Sequence, residues 1–270
     1  MELDNGDWID ERFEVLDTLG FGGAGDVYRV RDAVTEAERA LKLLYDDQLG
    51  THTLRQRFLT EARIMAELQH PHVLPVFSLG EFSDRVYFVM EYASLGTARQ
   101  QFDRGDVSPK LAAEVVLQVL DALEYAHQHN CIHRDVKPAN ILITEPGRYK
   151  LADFGVARYD TMGVARLTNT GDYLGTLGYM APEQRADPRL VVPQSDIYAT
   201  GATLFNLLSG NARPPPDLYA IGVDEIAYPQ LPPALLPIVS RATRGRVQDR
   251  YASAAEMRDA LHEAIEKTWD

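Results

Sequence analysis

His133-Arg134-Asp135-Val136-Lys137-Pro138-Ala139-Asn140 is the stretch on which the reading of this 270-residue chain turns. Its pattern His-Arg-Asp-x-Lys-Pro-x-Asn, at about 5% per specified residue, arises by chance with a probability on the order of one in 10⁵ or less. Asp153-Phe154-Gly155 and Ala181-Pro182-Glu183 follow it in that order. Working outward, the short apolar segments Asn140 to Thr144 and Tyr149 to Ala152 predict a small hairpin directly after it. Before it, Ser108-Pro109 offers an N-cap with proline at the first helical position. Leu111, Val115, Val119, Leu123 and Ala126 then recur on one face. Beyond it, Asp196 to Leu208 reads as a helix stopped by Gly210, and Ser253-x-x-Glu256 opens a last helix with Met257, Leu261 and Ile265 on its apolar face.

Further upstream the period changes. Phe13 to Leu19, Asp26 to Arg31, Arg39 to Leu44, Val73 to Gly80 and Arg85 to Glu91 read as strands. Leu54 to Gln69 reads as one helix that stops before Pro71. The expected fold is α+β, with a small β-rich lobe over about 13–92, a larger helical lobe over about 97–267, and residues 1–12 as an N-terminal extension.

With 45% hydrophobic residues, the chain can bury one large core or two joined lobes, which excludes disorder, collagen and coiled coil. Its 27 basic and 40 acidic residues give a net charge of −13, and only five of the basic residues are lysines. Such a chain repels nucleic acid and anionic membrane surfaces, so any polyanion site is a local exception. The single Cys131 forms no internal disulfide, no apolar run reaches membrane-spanning length, and the acidic start lacks a signal peptide's basic region. A cytoplasmic location is expected, either for the chain itself or as the cytoplasmic portion of a longer membrane protein.

Gly20-Phe21-Gly22-Gly23-Ala24-Gly25 fits G-x-G-x-x-G, which is weak alone. A dinucleotide-binding turn leads from strand into helix, whereas Asp26 to Val30 reads as strand, so a hairpin flap is expected. Its glycines let main-chain N–H groups approach phosphate closely; a merely flexible turn is the plainer reading. Lys42 on an apolar strand and Glu61 on an apolar helix face are unlikely places for lone charges. They are either partners, or a snorkelling lysine and an edge-of-face glutamate.

Taken together, these segments resemble the eukaryotic-like (Hanks-type) serine/threonine protein kinases of bacteria, from about Phe13 to Leu261. The resemblance implies the bilobal kinase fold, ATP, Mg²⁺ (with Mn²⁺ as a substitute) and transfer of the γ-phosphate to protein hydroxyls. It implies Asp135 as catalytic base, Lys137 on the transferring phosphate, Lys42 paired with Glu61, and Asn140 and Asp153 as metal ligands. It also implies that Gly20, Gly22, Gly23 and Gly25 cover the phosphates. The adenine is expected between Leu19, Val27 and Ala40 on one side and Leu142 on the other, with Met90 as gatekeeper and main-chain bonds from Glu91 and Ala93. Lys137 before Pro138 is the serine/threonine signature.

Arg134 before the catalytic Asp marks, in this family, kinases whose activation loop is ordered by phosphate. Thr168 and Thr170 stand where bacterial members autophosphorylate, and Thr176 where a threonine meets the catalytic Asp and Lys; solvated loop threonines are the plainer reading of the first two. Protein substrates are the implied partners, and action on itself in trans and a homodimer are compatible with the resemblance. Asp196 is expected to bind the catalytic-loop main chain, and Glu183 to pair with Arg250. Ala24 departs from the aromatic or Met common at the flap tip. Asn211 to Pro233, with six prolines, is shorter than the family's usual substrate-side helices. A catalytically silent scaffold and a small-molecule kinase are the alternatives.

Overall fold

A computed structural model describes residues 3–22, 25–45, 66–105, 108–154, 177–210, 214–215, 218–221 and 232–269. The chain divides into two compact units, residues 1–69 with 74–94 and 156–168, and residues 70–73 with 95–155 and 169–270.

The first unit is a six-stranded antiparallel sheet of β1 (Trp8–Ile9), β2 (Phe13–Gly22), β3 (Gly25–Asp32), β4 (Glu38–Leu44), β5 (Val76–Phe82) and β6 (Arg85–Glu91), in the order β1-β2-β3-β4-β6-β5. Phe13, Val15, Tyr28, Val30, Leu41, Leu43, Tyr87 and Val89 form its core, because alternate residues of a strand share one face. Leu3 and Ile9 join that core from the N-terminal segment, which therefore packs on the sheet. The β2–β3 hairpin closes at Gly22 opposite Gly25. A Cβ on Gly25 would run into the Leu43 carbonyl oxygen, so this close approach to β4 admits only glycine. At the hairpin base the buried Asp26 accepts hydrogen bonds from the Tyr45 hydroxyl and from Arg85, 3.4 Å away, and Arg85 Nε donates to the Leu44 carbonyl at 2.7 Å. Burial, then the bond to Asp26, pushes the Tyr45 pKa up to about 12.

One sequence expectation shifts and one strand is added. The strand foreseen from Val73 begins at Val76, since Pro75 offers no N–H for a ladder, and Val73 instead bridges Leu151, both residues belonging to the second unit. β1 was not foreseen, because two residues are too short to show a period. Of the helix expected over residues 54–69, residues 54–65 lie outside the described residues.

The second unit contains α1 (Ala98–Asp103), α2 (Pro109–Gln128), the hairpin of β7 (Ile141–Glu145) and β8 (Arg148–Leu151), α3 (Pro182–Ala186), α4 (Pro193–Leu208), α5 (Leu218–Ile221), α6 (Leu236–Ala242) and α7 (Ala254–Trp269). Ser108 caps α2 by accepting the Leu111 N–H at 3.1 Å. α4 is buried on every side from Ser195 to Leu208 and packs on α2, α6 and α7, and its buried polar residues include Asp196, Thr200 and Asn206. Gly201 permits this. A Cβ there would meet the Ala242 Cβ of α6 at 2.5 Å.

Candidate active site

The loop from His133 to Asn140 connects α2 to β7, and a buried aspartate on α4 holds its shape. Asp196 has 0% of its surface exposed, and an unpaired charge there would cost several kcal/mol. Its carboxylate accepts three donors: the main-chain N–H of His133 at 2.8 Å, that of Arg134 at 2.7 Å, and His127 Nε2 at 2.8 Å. Arg134 has φ +70°, in the left-handed region that costs a non-glycine residue roughly 1–2 kcal/mol. The bonds to its N–H and, from Gln184 Nε2 at 2.9 Å, to its carbonyl offset that strain.

His133 is wholly buried and stacks at a tilt on Phe154, with ring centroids 4.5 Å apart. Its Nε2 lies 2.8 Å from the Ala152 carbonyl, which can only accept, so Nε2 carries the proton and Nδ1 accepts the Asp135 N–H at 3.2 Å. Burial pushes the imidazole pKa below its ordinary value, keeping the ring neutral. His133 thereby ties Asp135 to the end of β8. The imidazoles of His127 and His133 are thus both engaged in shaping the His133–Asn140 loop.

Asp135 is the centre of the constellation. Its Oδ2 receives Lys137 Nζ at 3.0 Å and Asn140 Nδ2 at 3.1 Å, and the same amide also donates to the Asp135 carbonyl at 2.7 Å. With its NH₂ committed to Asp135, the planar Asn140 amide presents Oδ1 on its other edge, where it could serve as a hard oxygen donor. Asp153, two residues after β8, has φ +58° and an exposed side chain between buried Ala152 and Phe154. A carboxylate and an amide oxygen are hard oxygen donors of the kind that could hold a divalent cation. Among the described residues no cluster of three or more His, Cys, Asp or Glu forms a metal cage.

A second anchor lies on α3. Arg250, 2% exposed, makes a fork to Glu183 at 2.7 and 2.8 Å and reaches the Arg244, Gln194 and Gly245 carbonyls. Burial pushes the Glu183 carboxyl up, but the fork and the Ser195 hydroxyl, 2.7 Å away, outweigh this and hold it below its usual range.

In the first unit Lys42 is half-buried on β4, in register with Val27 of β3 and Phe88 of β6. Ala40 and Met90 are buried register partners. Val27 is half-buried, Gly20 lies opposite it, and Leu19 is exposed where the register slips between Thr18 and Gly20. The Glu91 N–H donates to the Pro75 carbonyl at 3.2 Å, and Ala93 is half-buried. Leu142 is half-buried on β7 of the second unit, where it bridges Thr97. Gly23, Glu61, Thr168, Thr170 and Thr176 lie outside the described residues. The sequence reading missed His127, Gln184 and Ser195 as partners; none stands in a motif, and each is recognised only by the acceptor it meets.

A family model described as "Protein kinase domain" matches residues 13–226. The chain is 33% identical to serine/threonine-protein kinase PrkC of Bacillus subtilis (strain 168), over 96% of this chain and 41% of that protein. It is 34% identical to serine/threonine-protein kinase PknB of Mycobacterium tuberculosis (strain H37Rv), over 94% and 43% respectively. It thus spans about two fifths of the length of these curated relatives. The crystal structure of the Mycobacterium tuberculosis PknI kinase domain superposes with a TM-score of 0.76 at 30% identity, covering 98% of this chain and 100% of that one. The His133–Asn140 loop, held as described above, and a family match over residues 13–226 lead to one conclusion: the chain belongs to the protein kinase family, and it is similar to the bacterial serine/threonine kinases named above.

Proposed function

We propose that the chain transfers the γ-phosphate of ATP to serine and threonine hydroxyls of proteins, itself included, with Asp135 as the catalytic base. The observation that carries this reading is the grip of Lys137 and Asn140 on one oxygen of Asp135, in a loop pinned by buried Asp196. Phosphoryl transfer asks a protein chiefly for positioning and charge neutralisation. Asp135 orients the substrate hydroxyl and takes its proton as the new O–P bond forms and the bond to ADP breaks. Lys137, beside it, offsets charge on the transferring group. Asn140 and Asp153 hold Mg²⁺, for which Mn²⁺ can substitute; bound there, the metal neutralises phosphate charge.

Lys42, paired with Glu61, presents an ammonium to the phosphates, and Gly20, Gly22, Gly23 and Gly25 offer main-chain N–H donors. Leu19, Val27, Ala40, Met90 and Leu142 take the adenine. With the Glu91 N–H committed to Pro75, main-chain donation to the ring falls to Ala93. Thr176 supports Asp135 and Lys137, and Thr168 and Thr170 are the sites of autophosphorylation, in trans within a transient homodimer. The kinase domain spans 13–267 and works in the cytoplasm. No helix among the described residues is long and apolar enough to cross a membrane.

Mass spectrometry after incubation with Mg-ATP tests the reading. Phosphate is expected on Thr168 or Thr170, and Asp135→Asn is expected to lower its incorporation at least about a hundredfold, the usual contribution of a general base. Nucleotide binding without transfer by the unaltered chain would instead favour a scaffold, and transfer confined to small molecules a different kinase class.

A further inference from the structure

We infer that Gln184 is a positioning residue for phosphate transfer, its side-chain amide setting the peptide plane that delivers Asp135. The inference rests on the kinase reading above. Gln184 lies on α3, is 5% exposed, and donates from Nε2 to the Arg134 carbonyl at 2.9 Å. That carbonyl and the Asp135 nitrogen belong to one peptide unit, so its tilt sets the direction in which the Asp135 side chain leaves the main chain.

The need for such a hold is local. Arg134 sits at φ +70°, a region that side-chain-bearing residues leave when they can. The peptide unit before Arg134 sets its φ and the unit after it sets its ψ, so the conformation persists only while both units are held. Asp196 grips the unit before, through the Arg134 N–H at 2.7 Å. The unit after is gripped at both ends, by Gln184 on the carbonyl and by His133 Nδ1 on the Asp135 N–H at 3.2 Å. Gln184 is the partner in this set that comes from α3, whose neighbouring Glu183 is moored by Arg250. A glutamine fits the task chemically, since it offers a donor to a buried carbonyl without adding charge beside Asp135.

A plainer role, satisfying a buried carbonyl, predicts a different result, and kinetics separate the two. Gln184→Leu and Gln184→Glu are made in the whole chain. Phosphate transfer from Mg-ATP, to the chain itself and to a degenerate serine/threonine peptide library, is followed across ATP concentrations. Thermal melting and binding of a non-hydrolysable ATP analogue are recorded in parallel. A misplacement of about 1 Å can cost on the order of a hundredfold, so a partial tilt is expected to lower kcat about tenfold in Gln184→Leu. The fall is expected to be larger in Gln184→Glu, whose carboxylate faces the carbonyl. KM for ATP and analogue affinity stay within about twofold of the unaltered chain.

Unchanged kcat in both folded variants overturns the inference. So does a parallel decline of kcat, ATP affinity and melting temperature, which marks a packing role. If Gln184→Leu does not fold, Gln184→Glu, nearly the same in shape, decides on the same criteria; if neither folds, the residue is structural and the inference falls. An unaltered chain that transfers no phosphate overturns the kinase reading itself, a result distinct from an active chain with equally active variants.

Discussion

His133 shows how much one residue can be asked to do once its proton is assigned. Donating from Nε2 to Ala152 and accepting at Nδ1 from Asp135 requires the neutral ring, and protonation would put a second donor against the Asp135 N–H. Its pKa in the folded chain lies below the ordinary 6.5, so the unfolded chain takes up this proton first as pH falls. The stability tied to neutral His133 is therefore complete above about pH 6.5 and is lost progressively below it, until the folded value is reached. His133→Phe should remove this contribution. Urea unfolding at stepped pH between about 7 and 5 should give a flatter dependence of stability on pH in the variant than in the unaltered chain. Equal slopes would show that the ring is protonated, or solvated, in the folded state. Asp135, Lys137 and Asn140 were legible as a motif, but the direction of the His133 proton was not, because it depends on Ala152, nineteen positions away.

At the scale of elements, helix starts and hairpins were written locally and the contacts between helices were not. Ser108 caps α2 as its sequence suggests. Ser253 likewise accepts from the Glu256 N–H at 3.1 Å, although the Glu256 carboxylate turns to the Ala252 N–H at 2.6 Å, one residue before the expected one. Gly201 reads in sequence as one more small residue on an apolar face. Its importance comes from α6, whose Ala242 Cβ leaves no space for a side chain. Gly201→Ala gains helix propensity of about 1 kcal/mol but meets that contact, and overpacking typically costs about 1–3 kcal/mol. A net fall in melting temperature is expected by calorimetry, and Gly201→Ala with Ala242→Gly should recover most of it. A stabilised single variant would mean that α4 and α6 separate at no cost.

At the scale of the molecule, the described structure is held in part by pairs far apart in the chain. Glu183 and Arg250 are 67 positions apart and form a buried fork. Arg250→Met leaves a buried carboxylate without its partner, for which about 3–5 kcal/mol of destabilisation is usual. Calorimetry should show a large fall in melting temperature, and adding Glu183→Leu should restore part of it, since a buried pair exchanged whole for apolar residues is often neutral. A double variant no better than the single would show that Ser195 and the carbonyls around Arg250 depend on the pair. The overall charge of −13 takes its meaning at this scale too, with Lys42 and Lys137, two of only five lysines, standing at motif positions that suit a polyphosphate. The sequence by itself determined the family, the α+β class, most strand and helix positions and the catalytic-loop motif. Each of these is a short-range pattern of spacing, capping and residue type. Only the tertiary structure decided that His127 joins two main-chain donors on Asp196, that Gln184 holds the peptide before Asp135, that Leu3 and Ile9 complete the first core, and that Gly201 cannot carry a side chain. Those depend on which distant group the chain brings within hydrogen-bond or van der Waals range, and no local pattern encodes that distance.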